Sequence, residues 1–338
     1  MNENTIQQIK ELFSEPKKIV IVCHKNPDGD AIGSSLGLLH YLNKKGHSAT
    51  VVVPNDYPHF LKWMPGNETV LKYDSQTKES ELFLNTADVI FTLDFNALHR
   101  AGDMEQALEN SNAIKIMIDH HQQPDDYAKY IYSDVSMSST CEMVYHFIDM
   151  LGDTNLVDAS IADCLYAGIV TDTGSFRFPS TTQKTHTVIA DLISKGANNA
   201  EVHNQIFDTN SQSRLQLLGC ALSNLKVFPE YKTAYITLSQ KELDNNNFKK
   251  GDTEGFVNYG LSIEGIIFAA IFIENKQENI IKISLRSKGD FSVNEFSRAH
   301  FNGGGHTNAA GGKSDLSLQE TTHKFEALLK DYKTQLNK

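Results

Sequence analysis

The chain has 338 residues, enough for two average domains but short for three, and its 40% apolar and 22% charged residues exclude disorder and allow a real core. A formal net charge of −11 excludes a surface that grips long duplexes by neutralising phosphates, yet leaves room for a short anionic substrate held through cations. Cys23, Cys141, Cys164 and Cys220 form no C-x-x-C pair, which argues against a zinc ribbon or a disulfide framework and for a reducing, cytoplasmic setting.

In chain order, residues 1–12 are polar and lack the apolar core of a signal peptide. The most apolar later run, 265–273, lies between Glu264 and Glu274 and is too short to span a bilayer, so no membrane association is expected. The β-branched run Lys18–Cys23 predicts a strand, Asn26-Pro27-Asp28-Gly29 a turn, and 31–44 a helix. Short apolar runs recur at 49–53, 88–93 and 113–118 without in-out alternation, as strands of a parallel α/β sheet do. Helical spacing follows over Thr140–Leu151, 158–170, 182–195 and 199–207, predicting helices that flank the sheet. Polar 208–213 is the candidate junction, giving domains at 1–208 and 216–338 with a linker at 209–215, the alternative being that it caps the following helix. Beyond it, strands at Thr233–Leu238, 266–273 and 280–285 and helices at 293–299 and 318–332 predict a smaller α/β domain. No repeat or low-complexity stretch interrupts this order.

Chemistry-bearing residues gather at the ends of these elements. The first strand leads into His24-Lys25-Asn26-Pro27-Asp28-Gly29-Asp30, an imidazole and two carboxylates on a loop entering a helix. In open α/β sheets, ligands collect outside the carboxyl ends of strands. The purely structural alternative is a turn over 26–29 with Asp30 capping the helix, and it leaves His24 unexplained. The strand at 88–93 ends on Asp94, and the strand at 113–118 runs into Asp119-His120-His121. The apolar helix 158–170 leads to Asp172, where the helix dipole disfavours a carboxylate unless a cation is near. Each segment alone has a structural explanation as a turn, cap or solvated surface; four together do not. Carboxylates and imidazoles without thiolates suit Mn²⁺ or Mg²⁺ best, with Zn²⁺, Co²⁺ and Fe²⁺ as alternatives. Two such ions roughly 3.5–4 Å apart clamp both oxygens of a phosphoryl displacement.

These segments closely resemble, in order, the four motifs of the DHH phosphoesterase family: His24-x-x-x-Asp28-x-Asp30, Asp94, Asp119-His120-His121 and Asp172. Gly303-Gly304-Gly305-His306, then Ala309-Ala310-Gly311-Gly312, with Arg286 on the preceding candidate strand, resembles the DHHA1 domain and separates the chain from family II pyrophosphatases. The resemblance covers nearly the whole chain. It implies an α/β fold, with an N-terminal, mainly parallel-sheet DHH domain, a smaller C-terminal α/β DHHA1 domain and an active-site cleft between them. It also implies two Mn²⁺ ions, with Mg²⁺ or Co²⁺ as substitutes. His24, Asp28 and Asp94 would hold one ion and Asp30, Asp94, His120 and Asp172 the other, with Asp94 as the bridge. The same likeness makes Asp119 an orienting group and puts His121 beside the scissile phosphate. Arg100, Arg286, Ser287, Gly304, Gly305 and His306 become the expected substrate-binding residues. Independently, a glycine run lets backbone N–H groups approach a phosphate. Solvated surface arginines are the structural alternative for Arg100 and Arg286, and Phe176 and Phe178 read as core rather than stacking platforms.

Length and domain content resemble the stand-alone nanoRNase and pAp phosphatase branch. The implied reaction releases 5′-mononucleotides from very short RNA, including pApA, and removes the 3′-phosphate of pAp to give AMP. Expected partners are short RNA or nucleotides, with no long duplex and no membrane, and a homodimer is open. A RecJ-like exonuclease, a cyclic dinucleotide phosphodiesterase, a pyrophosphatase and a non-catalytic nucleotide-binding regulator are the alternatives.

Overall fold

Apolar runs that lack alternation fold into strands buried on both faces. In the computed structural model, which describes residues 1–337, the chain divides into two units, Met1–Thr209 and Asn210–Lys338. The first is built on a six-stranded, wholly parallel sheet of β1 (Lys18–Cys23), β2 (Ser48–Val53), β3 (Leu71–Lys72), β4 (Val89–Leu93), β5 (Ile114–Asp119) and β6 (Tyr130–Ser133), in the order β3-β2-β1-β4-β5-β6. Ile19, Ile21 and Phe91 face one packed layer and Val20, Val22 and Ile90 the other, which is why β1 and β4 read as continuous apolar runs. β3 and β6, at the sheet edges, escaped the sequence reading because one has two residues and the other alternates buried and half-buried positions.

The helix Gly29–Lys44 buries nearly its whole circumference and lies directly against the helix Ala159–Asp172. Gly29, Gly33 and Gly37 recur every four residues, on one face, and make that approach possible. A Cβ at Gly33 would stand 2.5 Å from the carbonyl oxygen of Cys164, and one at Gly37 would stand 2.6 Å from the Leu165 side chain. From the opposite helix, a Cβ at Gly168 would stand 2.1 Å from Cys141 Sγ. Helices Thr140–Leu151, capped by Ser139, and Gln183–Ser194, capped by Thr182, complete the layer.

Three boundaries differ from expectation. The helix expected from 31 begins at Gly29 and is capped by Asp28, not by the Asp30 of the purely structural alternative, because Asp28 Oδ1 accepts the N–H groups of Asp30 and Ala31. The helix expected over 199–207 ends at His203 and passes into a π-helical turn, Asn204–Asp208. The segment expected as a linker, 209–215, is helical from Gln212, and the alternative reading of its polar residues holds, since Ser211 caps the helix Gln212–Ser223.

The second unit has a mixed sheet of β7 (Lys226–Phe228), β8 (Thr233–Leu238), β9 (Phe268–Asn275), β10 (Ile280–Ser287), β11 (Gly304–His306) and β12 (Ala309–Ser314), ordered β11-β12-β10-β9-β8-β7. Only β8 and β9 pair in parallel. Phe268, Phe272, Phe296 and Phe325 form an edge-on aromatic core between this sheet and the helices Val293–His300 and Leu318–Leu329. Among the described residues, no helix is long and apolar enough to cross a membrane.

Replacing a mid-helix glycine by alanine ordinarily stabilises a helix by about 1 kcal/mol. At Gly33 the new methyl meets backbone rather than a movable side chain, so overpacking of about 1–3 kcal/mol outweighs that gain. Gly33→Ala is therefore expected to lower the denaturation midpoint of the N-terminal unit in urea, with an unchanged or higher midpoint as the contrary result.

Candidate metal centre

Strand order reverses between β1 and β4, since β1 continues outward through β2 and β3 while β4 continues through β5 and β6 on the other side. Crevices for ligands open at such a switch point. Cys23 is the register partner of Leu93, and Leu93 of Ile118, so His24, Asp94 and Asp119 issue side by side from three adjacent strands. Asp94 leaves its strand with φ 62°, a left-handed conformation that aspartate tolerates better than most residues, and its N–H bonds the Ile118 carbonyl at 3.2 Å.

The two flanking helices deliver the remaining carboxylates. Asp30 sits in the first turn of Gly29–Lys44, and Asp172 closes Ala159–Asp172 at the same end of the glycine contact. Donor atoms of His24, Asp28 and Asp94 come within 4.8 Å of one another, as do those of Asp30, His120 and Asp172 and those of Asp94, Asp119 and His121. The structure thus brings together all eight residues of the N-terminal expectation other than Arg100.

Asp94 stands between the groups. Its Oδ2 is 3.4 Å from His24 Nε2, and its Oδ1 is 3.6 Å from His120 Nε2. His120 Nε2 also lies 3.4 Å from Asp172 Oδ2 and 3.8 Å from Asp30 Oδ2, while His24 Nε2 lies 3.9 Å from Asp28 Oδ1. The other ring nitrogens are committed to backbone carbonyls, His24 Nδ1 to Lys25 at 2.9 Å and His120 Nδ1 to Met137 at 3.2 Å. A carbonyl only accepts, so each Nδ1 carries a proton and each Nε2 is turned toward the carboxylates, the arrangement that fixes a metal-binding tautomer.

Electrostatics argue for cations at this place. Asp30, Asp94 and Asp119 are buried, and burial together with the charge of Asp30 pushes the Asp94 carboxyl up to about 8. Burial opposes a charge on His24, yet the hydrogen bond to Asp94 and the charge of Asp28 carry its pKa up to about 9. His120 is raised the same way, against burial, by Asp94 and Asp30. Protons stand where divalent cations would satisfy the same carboxylates, and a donor set of oxygens and imidazoles fits Mn²⁺, Mg²⁺ and related ions.

His121 is different. Burial, then the charges of Arg100, His120 and His24, hold its pKa well below the usual histidine range, so it is neutral. Its Nδ1–H donates to Asp119 Oδ1 at 2.7 Å, Asp119 Oδ2 accepts the His121 backbone N–H, and Arg100 Nη2 reaches His121 Nε2 at 3.4 Å. Arg100 therefore enters the site through His121.

Sequence reasoning missed Thr140 and Cys141. Their N–H groups donate to Asp30 Oδ2 at 2.6 Å and Oδ1 at 2.8 Å, and Thr140 Oγ1 donates to Asp94 Oδ1 at 3.1 Å. Ser138-Ser139-Thr140 has the residue types of a helix cap, but nothing local could reveal a partner 110 residues away.

In the second unit Arg286 and Ser287 end β10. Arg286 Nη1 donates to the Leu285 carbonyl, whereas the buried Ser287 hydroxyl donates to Phe291 O at 2.6 Å and accepts from Asn308 Nδ2. Gly304 and Gly305 lie with His306 on β11 of a hairpin with β12. Their neighbours explain part of the glycine run, because a Cβ at Gly303 would stand 1.9 Å from Gly311 O and one at Gly305 would stand 2.4 Å from Ala309 O. The Gly305 N–H, expected to face phosphate, donates instead to Asn294 Oδ1, which also accepts from Arg298 Nε. Arg298 lies beside Gly304 and is a second arginine that the sequence reading did not single out.

The shifts at Asp94 and His24 have a sign. Both folded-state values exceed the ordinary ones, so the metal-free fold holds extra protons and loses stability as pH rises through about 8 and 9. His121, shifted the other way, is deprotonated in folded and unfolded chains alike over that window. Divalent cations displace those protons, so their stabilisation grows with pH. Thermal melts with chelator and with Mn²⁺ at pH 7 and 9 check this; a chelated protein that is more stable at pH 9 would contradict it.

Residues 18–169 match the DHH family, N-terminal domain, and residues 230–338 match the DHHA1 domain. The bifunctional oligoribonuclease and PAP phosphatase NrnA of Thermus thermophilus is 30% identical over 95% of this chain and 90% of its own length. A probable counterpart with that name from Streptococcus mutans is 30% identical over 92% of this chain and 93% of its own. An exopolyphosphatase-related protein from Bacteroides fragilis has a crystal structure that covers 100% of this chain and 98% of its own, with 41% identity and a TM-score of 0.95. With both domains matched in order, and with likeness of this extent, the chain belongs to the DHH phosphoesterases and is a hydrolase with an N-terminal DHH and a C-terminal DHHA1 domain.

Proposed function

We propose that this enzyme hydrolyses short oligoribonucleotides such as pApA to 5′-mononucleotides and removes the 3′-phosphate of pAp, with two divalent cations, Mn²⁺ foremost. The observation that carries the reading is Asp94, whose two oxygens face two different histidine-carboxylate groups. The names of the NrnA relatives, aligned over nearly their whole length, support the substrate class. Four free cysteines, three of them buried, fit the reducing cytoplasm.

In this reading His24, Asp28 and Asp94 hold one cation, and Asp30, Asp94, His120 and Asp172 hold the other. Bound there, two divalent cations supply a nucleophilic water near neutral pH and positive charge for the phosphoryl oxygens. Asp119 keeps the proton of His121 on Nδ1, so Nε2 is the atom offered to substrate. An incoming phosphate favours a second proton on that nitrogen, and Asp119 stabilises the resulting imidazolium. As the bond from phosphorus to the leaving oxygen breaks and that to water forms, Nε2 can deliver the proton that the leaving oxygen needs. Arg100 directs a guanidinium to the same nitrogen and would pair with the substrate phosphate. Arg286, His306 and the Gly304-Gly305 backbone are the proposed contacts to the rest of the nucleotide, and Ser287, its hydroxyl engaged, would act by holding the Asn308 turn.

The test compares pApA, pAp, a long single-stranded RNA and pyrophosphate with Mn²⁺. Fast release of mononucleotide from pApA and of phosphate from pAp is expected, with Asp94→Ala at background and His121→Asn slowed about 10²–10⁴-fold. Equal rates on long RNA would favour a RecJ-like exonuclease. Absence of turnover with any divalent cation would leave a nucleotide-binding regulator.

A further inference from the structure

We infer that Thr140 is the positioning residue of the centre, its hydroxyl setting the carboxylate plane of Asp94 and its N–H holding Asp30. The inference rests on the two-cation reading above and names the group that makes that reading geometrically workable. A carboxylate rotates easily about its last side-chain torsion, which has a broad, shallow profile. A bridge, however, must keep one oxygen toward each side. Oδ1 of Asp94 is met by Thr140 Oγ1 at 3.1 Å and faces His120 Nε2 and His121 Nδ1 at 3.6 Å each, while Oδ2 faces His24. Of these neighbours, His24 and His120 would turn their lone pairs to cations, and His121 donates its Nδ1–H to Asp119. The Thr140 hydroxyl is thus the donor that can hold the Asp94 orientation whether cations are bound or not.

Asp30 is held by the same turn of chain. Its two oxygens accept the consecutive N–H groups of Thr140 and Cys141, which open the twelve-residue helix Thr140–Leu151. First-turn N–H groups have no partner inside their own helix, and the helix dipole adds attraction for a carboxylate there. Thr140 therefore touches both buried carboxylates, one by its backbone and one by its side chain.

The turn that carries Thr140 is itself rigidly tied. Ser139 Oγ accepts the Glu142 N–H at 3.0 Å, and the buried Glu142 Oε2 accepts the Ser138 hydroxyl and the Thr185 hydroxyl, the latter at 3.0 Å. One residue earlier, the Met137 carbonyl receives Nδ1 of His120. A stretch of six residues thus fixes His120, Asp30 and Asp94, three groups from three other elements.

The experiment measures Mn²⁺ binding to the full-length protein by titration calorimetry and records the paramagnetic resonance spectrum of the loaded protein. Wild type, Thr140→Val and Thr140→Ser are compared, along with kcat and KM on pApA. Valine keeps the shape and the N–H but removes the hydroxyl. The expected result is two sites in wild type, Mn²⁺ affinity weakened about 10–100-fold in Thr140→Val, and recovery in Thr140→Ser. The spin-coupled signal of a close Mn²⁺ pair is lost in Thr140→Val, and kcat falls while KM holds. Wild-type affinity and an intact pair signal in Thr140→Val would overturn the inference and leave the two-cation reading standing. A wild type that binds no Mn²⁺ would overturn both. If Thr140→Val does not fold, Thr140→Ala is measured in its place with the same two outcomes.

Discussion

The close approach of two helix backbones is the constraint from which the rest of the N-terminal unit follows. Gly29, Gly33 and Gly37 on one helix and Gly168 on the other leave no room for a methyl group at the crossing. Each glycine inside a helix costs about 1 kcal/mol relative to alanine, a cost that a helix chosen for stability alone would avoid. The return is geometric. Asp30 lies one residue past Gly29, Asp172 four residues past Gly168, and Asp30 Oδ1 is 3.0 Å from where a Gly168 methyl would stand. Side chains at the crossing would push the helices apart and separate the carboxylates at its end.

The sheet supplies the other half by register alone. A parallel sheet whose order reverses between β1 and β4 leaves a crevice at their carboxyl ends, and pairing of Cys23 with Leu93 makes His24 and Asp94 neighbours. This explains why so much of the site was legible in sequence. Strands buried on both faces show as unbroken apolar runs, so the polar residue that ends each run is conspicuous, as with Asp94 and Asp119. Contacts made across the fold left no such mark. The Thr140 hydroxyl on Asp94, the exchange of cap from Asp30 to Asp28, and the glycine stripe all depend on what faces a residue, not on what adjoins it. β3, with two residues, and β6, with an alternating pattern at the edge, carry too little periodicity to be read.

The collected charges would oppose folding without compensation. Asp30, Asp94 and Asp119 are withdrawn from water close to one another, and burying unpaired carboxylates costs several kcal/mol each. The fold answers in three ways. Backbone N–H groups offset part of the Asp30 charge, Asp94 keeps a proton up to about pH 8 while the pKa values of His24 and His120 beside it are raised, and Asp119 is matched to His121. The histidine protons occupy the nitrogens that cations would take, so proton and cation compete for the same lone pairs. Stability and affinity are thereby linked through pH.

Glycine has a second use in the DHHA1 domain, and the contrast shows where residue type misleads. Gly303-Gly304-Gly305 looked like a loop of free N–H groups ready for phosphate, but Gly303 and Gly305 are small because β12 presses against them, and the Gly305 N–H already serves Asn294. Gly304, with its nearest neighbours 3.6 Å from a would-be Cβ, is the member of the run whose smallness packing does not require. On the proposed function, anion recognition by this hairpin would lean on side-chain cations, Arg286 on β10 and Arg298 on the helix Val293–His300, more than on a backbone cradle. Guanidinium groups fork onto a phosphate without demanding one backbone shape, which is the property the proposed substrate contact would use.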